Sequence, residues 1–554
     1  MKKQIFAGAL GLLGIFSFAQ EINLGGFSGG VESNGAWYVE DETLSFDPGE
    51  LRFRSNNYFR LDYQAGNVSA GVQYEAYQPG ALLGYSPRFE GQGIATYYAR
   101  YRDDKIDITA GNFYDQFGSG LIYRSWEDRA IGINNSIRGV RAAWTPNTHT
   151  TIKGFIGQQR LGFDLVEGAV GGIDVESNII KLVNKDAGNK HNLVAGASYV
   201  GKYEPYTGSR QDIPGTVGSY AARLNYYGTS GFHTALEYVY KGADVSMNES
   251  TMSNDLYDGN AFLWNAGYSR RGFGVNTTFR RLENMGMFST RRFADMTVNT
   301  FNEANINYLP ALTRQHDYLL TNIYVYQSQG FLNFGNQQAG EIGGQLDVFY
   351  NIPRGSKLGG RYGTKIAVNG SYWNALQAEF DGASYTTGFL DFGEKYFHDV
   401  NVEVTKKWSP KFLSIITYMN QFYHKGVVEG GNYSPLVANV VVGDFQYIFN
   451  PRNSMRFELQ HMQSKRERKN WAAALVEYNY NLVWSFYASD LWNYGNDDPA
   501  RRFHYYNLGA AYARHGTRVA ANYGRQRGGL ICVGGVCRFV PESAGLTFSI
   551  NHSF

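Results

Sequence analysis

Charged residues, proline and cysteine are all scarce in this chain of 554 residues. Charged side chains make up 18% of it, the formal net charge is +2, and there are 13 prolines and 2 cysteines. A charge so close to balance gives no electrostatic reason to expect a nucleic-acid partner. Two thiolates fill only half of a tetrahedral zinc shell, so we expect no metal site. No phosphate-binding or hydrolase motif is present, so we expect no cofactor and no catalytic residues.

Long apolar runs are absent after the first twenty residues. Lys2 and Lys3 precede an apolar run over Ile5–Phe18, and small residues flank Phe18 before Gln20. A basic start, one apolar stretch and small residues at a cleavage point are typical of a secretory signal peptide. The run is shorter than the roughly 20 apolar residues of a spanning helix. The sequence predicts an exported protein with a signal peptide over residues 1–19 and one mature domain over residues 20–554.

Glycine and aromatic residues are abundant, and most of the mature chain alternates in steps of two. The chain has 66 glycines, 42 tyrosines and 36 phenylalanines. Over 67–76 the even positions are apolar or aromatic and the odd positions are polar or glycine. Such alternation predicts β-strands, and about ten residues cross a bilayer at a 45° tilt. A soluble β-sandwich would instead need large apolar residues on its inner face.

Short turns alternate with long polar loops along the chain, as in outer-membrane barrels. The predicted fold class is therefore all-β: a single large transmembrane antiparallel β-barrel of 22–26 strands. Alternation begins near Leu24, which leaves no room for a plug domain. Asp317–Tyr326 is predicted to be one of the strands, although pairing it requires an extra strand or a long excursion before Gly340.

The last residues resemble the signal by which the barrel-assembly machinery recognises outer-membrane proteins. That signal combines a glycine, an aromatic residue, a hydrophobic residue and an aromatic terminus, which here are Gly545, Phe548, Ile550 and Phe554. The resemblance implies the outer membrane as the location, with its lipid and the assembly machinery as partners.

The two cysteines flank a short glycine turn. If Gly534 and Gly535 form a two-residue hairpin turn, Cys532 lies opposite Cys537, within the Cα separation that a disulfide accepts. Export brings the chain into oxidising surroundings. We therefore expect a Cys532–Cys537 disulfide in a loop on the cell surface.

The glycine-rich loop 114–136 and the start of the next strand carry opposed charges. Porins narrow their lumen with such a loop, and rings of charge select solutes. The hypothesis of a constriction loop rests on Arg124, Glu127, Asp128, Arg129, Arg138 and Arg141. The alternative is a surface loop whose charges pair locally.

Two segments, Gly111–Leu121 and Cys532–Arg538, together with the leader and the Tyr/Asn/Gly-rich barrel, resemble an uncharacterised family of Bacteroidota outer-membrane barrels. The resemblance implies a fold and a location but no activity. Two functions remain open. One is a passive porin-like channel for small hydrophilic solutes. The other is a scaffold subunit of a surface or secretion complex, with a filled lumen and envelope proteins as partners.

Overall fold

The chain folds into a closed antiparallel barrel. The computed structural model describes residues 25–183, 190–206, 208, 210–245, 247–248, 256–293, 302–332, 338–381 and 384–554. In that part of the chain each barrel strand pairs with the next, and the last pairs with the first. The strands are β1 Gly26–Tyr38, β2 Phe53–Ala65, β3 Val68–Tyr77, β4 Gly91–Arg102, β5 Ile106–Phe113, β6 Ile137–Asn147, β7 Thr150–Leu161, β8 Ala169–Asn178, β9 His191–Tyr203, β10 Thr216–Gly228, β11 Phe232–Asp244, β12 Tyr257–Arg270, β13 Phe273–Glu283, β14 Gly340–Ile352, β15 Thr364–Asp381, β16 Ser384–Lys407, β17 Phe412–Tyr423, β18 Leu436–Asn450, β19 Asn453–Ser464, β20 Trp471–Tyr480, β21 Trp484–Trp492, β22 Asn507–Arg514, β23 Thr517–Gln526 and β24 Ser543–Ser553.

These 24 strands confirm the all-β barrel class and the predicted strand number. The predicted signal peptide, residues 1–19, lies outside the described residues. Short helices lie at Ile179–Val183 and Lys425–Val428, and a 3-10 turn lies at Pro499–Arg501. None of the described helices is long and apolar enough to cross a membrane.

The two ends of the barrel differ in the length of their connections. At one end, which we call the short-turn end, strands are joined by turns such as 66–67, 271–272 and 515–516. Both ends of the barrel chain meet here, because Gly29 N donates to Phe554 O at 2.9 Å. At the opposite, long-loop end lie connections such as 114–136, 284–339 and 527–542.

The outer face is an apolar belt and the inner face is largely polar. Ile156 and Ile94 are 64% and 61% exposed on the outside, as expected for side chains that contact lipid. Within β3, Val68 and Tyr74 point outward, whereas Gln73 and Glu75 are buried in the interior. The faces assigned to this segment from its alternation are therefore confirmed.

The segment 317–326 is not a strand, so that prediction was wrong. It lies inside the barrel as turns and irregular chain. Tyr318, Leu320, Ile323 and Tyr326 are all buried in one apolar cluster, which includes residues of both parities. A strand would send every second side chain to the opposite face. The aromatic residues that suggested a strand instead pack this segment against the inner wall of the barrel.

β24 closes the barrel against β1 through a close approach of the two backbones. Gly545 pairs with Tyr38, and a Cβ atom at Gly545 would lie 2.2 Å from the carbonyl oxygen of Trp37. Leu546, Ile550 and Phe554 are exposed on the outer face, and the ring of Phe548 stacks on Phe53 of β2 at 6.0 Å between centroids. The glycine of the proposed assembly signal is thus also required by local geometry.

Candidate functional site in the barrel lumen

The loop 114–136 folds into the lumen and packs against the inner wall. Phe117, Ile122 and Tyr123 are fully buried, and the ring of Tyr123 stacks on Phe155 of β7 at 4.3 Å. Each such side chain stabilises the folded loop by roughly 1.5–3 kcal/mol. The apolar cluster that they form continues along the inner faces of the strands from β6 to β13.

Charged side chains tie the base of this loop to the wall. Asp115 accepts hydrogen bonds from Arg141 Nε at 2.6 Å and Lys153 Nζ at 3.1 Å. Farther along, the backbone nitrogen of Ser119 donates to Glu237 of β11 at 3.0 Å. These bonds hold the loop inside the barrel rather than at its mouth.

A second segment, 302–332, covers the opposite part of the wall. Its apolar residues join a cluster with the inner faces of β15–β21. The anchor is the buried pair of Arg280 on β13 and Glu341 on β14, joined at 2.6 Å with both side chains no more than 1% exposed. Arg280 also donates to Pro310 O at 2.7 Å, and Glu341 accepts from Tyr326 Oη at 2.6 Å. One ion pair therefore fixes both ends of the stretch 310–326.

The predicted disulfide is present. Cys532 pairs with Cys537 across a turn in which Gly534 and Gly535 have φ values of 58° and 83°. This two-stranded unit, Gly529–Val540, is called the disulfide hairpin below. It leaves the long-loop end and turns inward: Cys537 is fully buried, and Ala311 N donates to Gly535 O at 2.8 Å. The hairpin thus packs onto the segment 302–332.

Two cavities lie along β1 and β24 of the barrel wall. The inner cavity, about 790 Å³, lies toward the short-turn end and is lined by Ser28–Glu32 of β1. The outer cavity, about 740 Å³, lies toward the long-loop end and is lined by Glu32 through Tyr38 of the same strand. On β24 the two linings likewise follow one another, with 551–554 in the first and 543–549 in the second. The cavities therefore lie in succession along the barrel.

An ion pair lies where the two cavities meet. Arg129 and Glu32 line both of them and are joined at 2.7 Å. The guanidinium of Arg129 also contacts Glu127 at 3.1 Å and Gln73 at 3.0 Å, and lies 4.3 Å over the ring of Tyr58. Burial lowers the pKa of Arg129, but the charges of Glu127 and Glu32 outweigh that effect and raise it. Arg129 is thus a fixed positive charge held by two carboxylates.

The other residues of the constriction hypothesis do not all join this group. Arg124 lies 4.0 Å over the ring of Tyr308, and Asp128 accepts from the backbone nitrogen of Ala130 within its own turn at 2.9 Å. Arg141 points inward but binds Asp115.

Arg138 lies elsewhere. Its guanidinium is 5.5 Å over Tyr97, which is exposed on the outer face together with Val140. Arg138 and Arg141 differ by three positions on one strand, so their side chains must point to opposite faces. Grouping them in a single lumenal set was a parity error, and Arg138 does not belong with the other five.

Several charged residues that line the two cavities were missed in the sequence. Glu32 and Arg518 line the cavities from β1 and β23, and Arg538 does so from the disulfide hairpin. The inward parity of Glu32 and Arg518 was readable from the alternation. The inward fold of the hairpin was not, because the sequence of a loop does not state which way it bends.

Comparison with solved structures returns barrels of low sequence identity. A variant of the ferric enterobactin receptor from Pseudomonas aeruginosa is 9% identical, covers 95% of this chain and 80% of that protein, and has a TM-score of 0.42. The outer membrane transporter YddB from Escherichia coli is 7% identical, with coverage of 95% and 81% and a TM-score of 0.38. A BenF-like porin from Pseudomonas fluorescens Pf-5 is 8% identical, with coverage of 95% and 97% and a TM-score of 0.36.

No curated protein matches the sequence. A family model described as a family of unknown function, DUF6029, matches residues 1–554. The chain belongs to this family.

Proposed function

We propose that the protein is a passive outer-membrane channel for small hydrophilic solutes, narrowed at the contact between Arg129 and Glu32. The observation that carries this proposal is the succession of two cavities along β1 and β24, with that ion pair between them. Transport needs a continuous hydrated route, and these cavities supply most of one.

The length of the route matches a membrane crossing. From Ser28 to Tyr38 the cavities follow ten residue steps of β1. At about 3.3 Å per residue and a tilt of about 45°, this corresponds to about 23 Å along the barrel axis. The apolar belt of a membrane barrel is about 25 Å tall. The two cavities together therefore extend over nearly the full thickness of the hydrocarbon layer.

The apolar clusters of the lumen limit the route to one side. The loop 114–136 and the segment 302–332 occupy the wall from β6 to β21, which leaves β1–β5 and β22–β24 as the more polar side. A 24-stranded barrel without such filling would leave a wide aqueous pore. With it, passage depends on the few charged side chains at the junction of the cavities.

Planar-bilayer recording of the purified protein tests this proposal. We expect a small, steady ion current for the wild type. Arg129→Ala should raise the conductance several-fold, because it removes the guanidinium at the junction. The matched control is Arg501→Ala, since Arg501 is an exposed residue that pairs with Asp498 of the same loop. No current from wild type or Arg129→Ala, in protein that is demonstrably folded, would refute a channel.

A scaffold subunit with a filled lumen is the second candidate. It is favoured by the same apolar clusters, which fill more of the barrel than a simple pore requires. Envelope proteins would then bind the exterior. Silence in the bilayer, together with reproducible co-purification of envelope proteins from mild detergent, would support the scaffold over the channel.

A further inference from the structure

The outer cavity is bounded on one side by an arginine of the disulfide hairpin whose donors are unmatched. Nε and Nη1 of Arg538 are buried and have no hydrogen-bond acceptor. A buried donor left without an acceptor is destabilising, and more so when the group is charged. In the described part of the chain no carboxylate forms an ion pair with Arg538. Burial lowers the pKa of Arg538, as expected for a cation without a partner.

This guanidinium lies against an aromatic ring. It lies 4.2 Å over the ring of Tyr85, and Tyr85 Oη donates to the backbone oxygen of Arg129 at 2.7 Å. Tyr38 also lines the cavity, and its hydroxyl accepts a hydrogen bond from Leu83 N at 3.2 Å. Stacking on tyrosine satisfies none of the in-plane N–H donors of a guanidinium, which form its bidentate fork.

The other charges around the outer cavity leave a positive balance. Its charged lining residues are Glu32, Arg129, Glu477, Arg518 and Arg538. Arg129 is matched by Glu32 at 2.7 Å. Glu477 lies on β20 directly opposite Tyr487, and its carboxylate accepts from Asn479.

Burial lowers the pKa of Arg538, and the charge of Asp128, which raises it, does not outweigh that effect. The Oδ1 atom of Asp128 accepts hydrogen bonds from the backbone nitrogens of Ala130 and Ile131 in its own turn. Among the described residues that line the cavity, Glu477 is therefore the one carboxylate left to balance the two cations Arg518 and Arg538.

We propose that the outer cavity binds a small solute carrying an oxyanion, a carboxylate or a phosphate, with Arg538 as the principal ligand and Arg518 as the second cation. Planar two-oxygen anions match the fork of a guanidinium. The volume of about 740 Å³ suits a metabolite-sized ligand. This inference rests on the proposed channel and names the class of solute that it would carry, but binding itself can be measured without any current.

Isothermal titration of the folded protein in detergent micelles is the test, with succinate and inorganic phosphate as separate probes and succinamide as the uncharged counterpart of succinate. We expect succinate or phosphate to bind, with succinamide at least tenfold weaker than succinate. Binding of succinate alone assigns a carboxylate solute, and binding of phosphate alone assigns a phosphorylated one. Arg538→Gln should weaken the affinity at least tenfold, and Arg518→Gln several-fold. Arg501→Gln should leave it unchanged.

Correct folding of each variant is checked by heat-modifiable migration on gels, so that a lost site is not confused with a lost barrel. Arg538→Lys keeps the charge but not the fork, and we expect intermediate affinity. The proposal is overturned if neither anion binds at millimolar concentration, or if Arg538→Gln binds like the wild type. Binding without bilayer current would contradict the channel but support the anion site. Current without binding would support the channel but contradict the anion site.

Discussion

Glu341→Gln is expected to release the lumenal segment 302–332 from the barrel wall. The change keeps the volume of the side chain but removes the charge that matches Arg280, and both groups are almost completely buried. Leaving one partner of a buried ion pair unmatched typically lowers stability by about 3–5 kcal/mol. The carboxylate oxygens of Glu341 also accept hydrogen bonds from the hydroxyls of Tyr326 and Ser328 and from the backbone nitrogen of Gln329. We therefore expect the free energy of unfolding to fall by about 3–5 kcal/mol.

The assay is urea unfolding of the protein folded in lipid vesicles, combined with limited proteolysis from the aqueous side. Asp212→Asn is the matched control, because its ion pair with Arg210 lies on an exposed loop. Exposed ion pairs contribute little to stability, so this variant should behave like the wild type. In Glu341→Gln, new cleavage within 302–332 should appear before the barrel unfolds. Equal stability and equal cleavage patterns in the two variants would refute the anchoring role of the buried pair.

Three further predictions concern acid, the disulfide and barrel closure. Burial, reinforced by Arg314, lowers the pKa of His316 to about 4. The unfolded chain therefore takes up the proton first, so stability should be full above about pH 6.5 and fall by up to about 3 kcal/mol toward pH 4. Replacing His316 with glutamine should flatten that decline in urea titrations at stepwise lower pH. Reduction of the Cys532–Cys537 bond should lower the free energy of unfolding by about 2 kcal/mol, because the loop that it closes is short, and should expose the hairpin to protease. Gly545→Ala should block closure, seen as loss of heat-modifiable migration, whereas Gly370→Ala should not, since a Cβ there meets nothing nearer than 3.9 Å.

Each of these has a contrary outcome. If the stability of the glutamine variant falls with pH as it does in the wild type, groups other than His316 cause that loss. A hairpin equally protected with and without reductant would show that packing alone holds it. Normal folding of Gly545→Ala would mean that β1 and β24 adjust to the added methyl group.

Alternation along the chain predicted the barrel and the faces of strands such as β3, and the turns between strands predicted their number within the range 22–26. β3 illustrates the reason: successive side chains point to opposite faces of the barrel wall, so the outward Val68 is apolar and the inward Glu75 is charged. The Cys532–Cys537 pairing was also predictable, because a two-glycine turn fixes which residues lie opposite one another.

The filling of the lumen could not be predicted in the same way. Tyr318–Tyr326 carries the apolar residues of a strand, but it packs on a wall composed of β15–β21, which is distant in sequence. Local pattern does not specify such contacts. Arg129 was found because its loop is charged and glycine-rich, whereas Arg538 was overlooked because nothing in the hairpin sequence indicates that it bends inward.

The most direct test of the proposed route is chemical modification at the junction of the two cavities. Glu32→Cys places a thiol between them, whereas Val519→Cys places one on the outer face, where Val519 is exposed. A membrane-impermeant, negatively charged methanethiosulfonate reagent is added during bilayer recording. The account predicts a large, irreversible change of current in the first variant and none in the second. An unchanged current in Glu32→Cys, with the thiol shown to be modified, would contradict a route that passes Arg129 and Glu32.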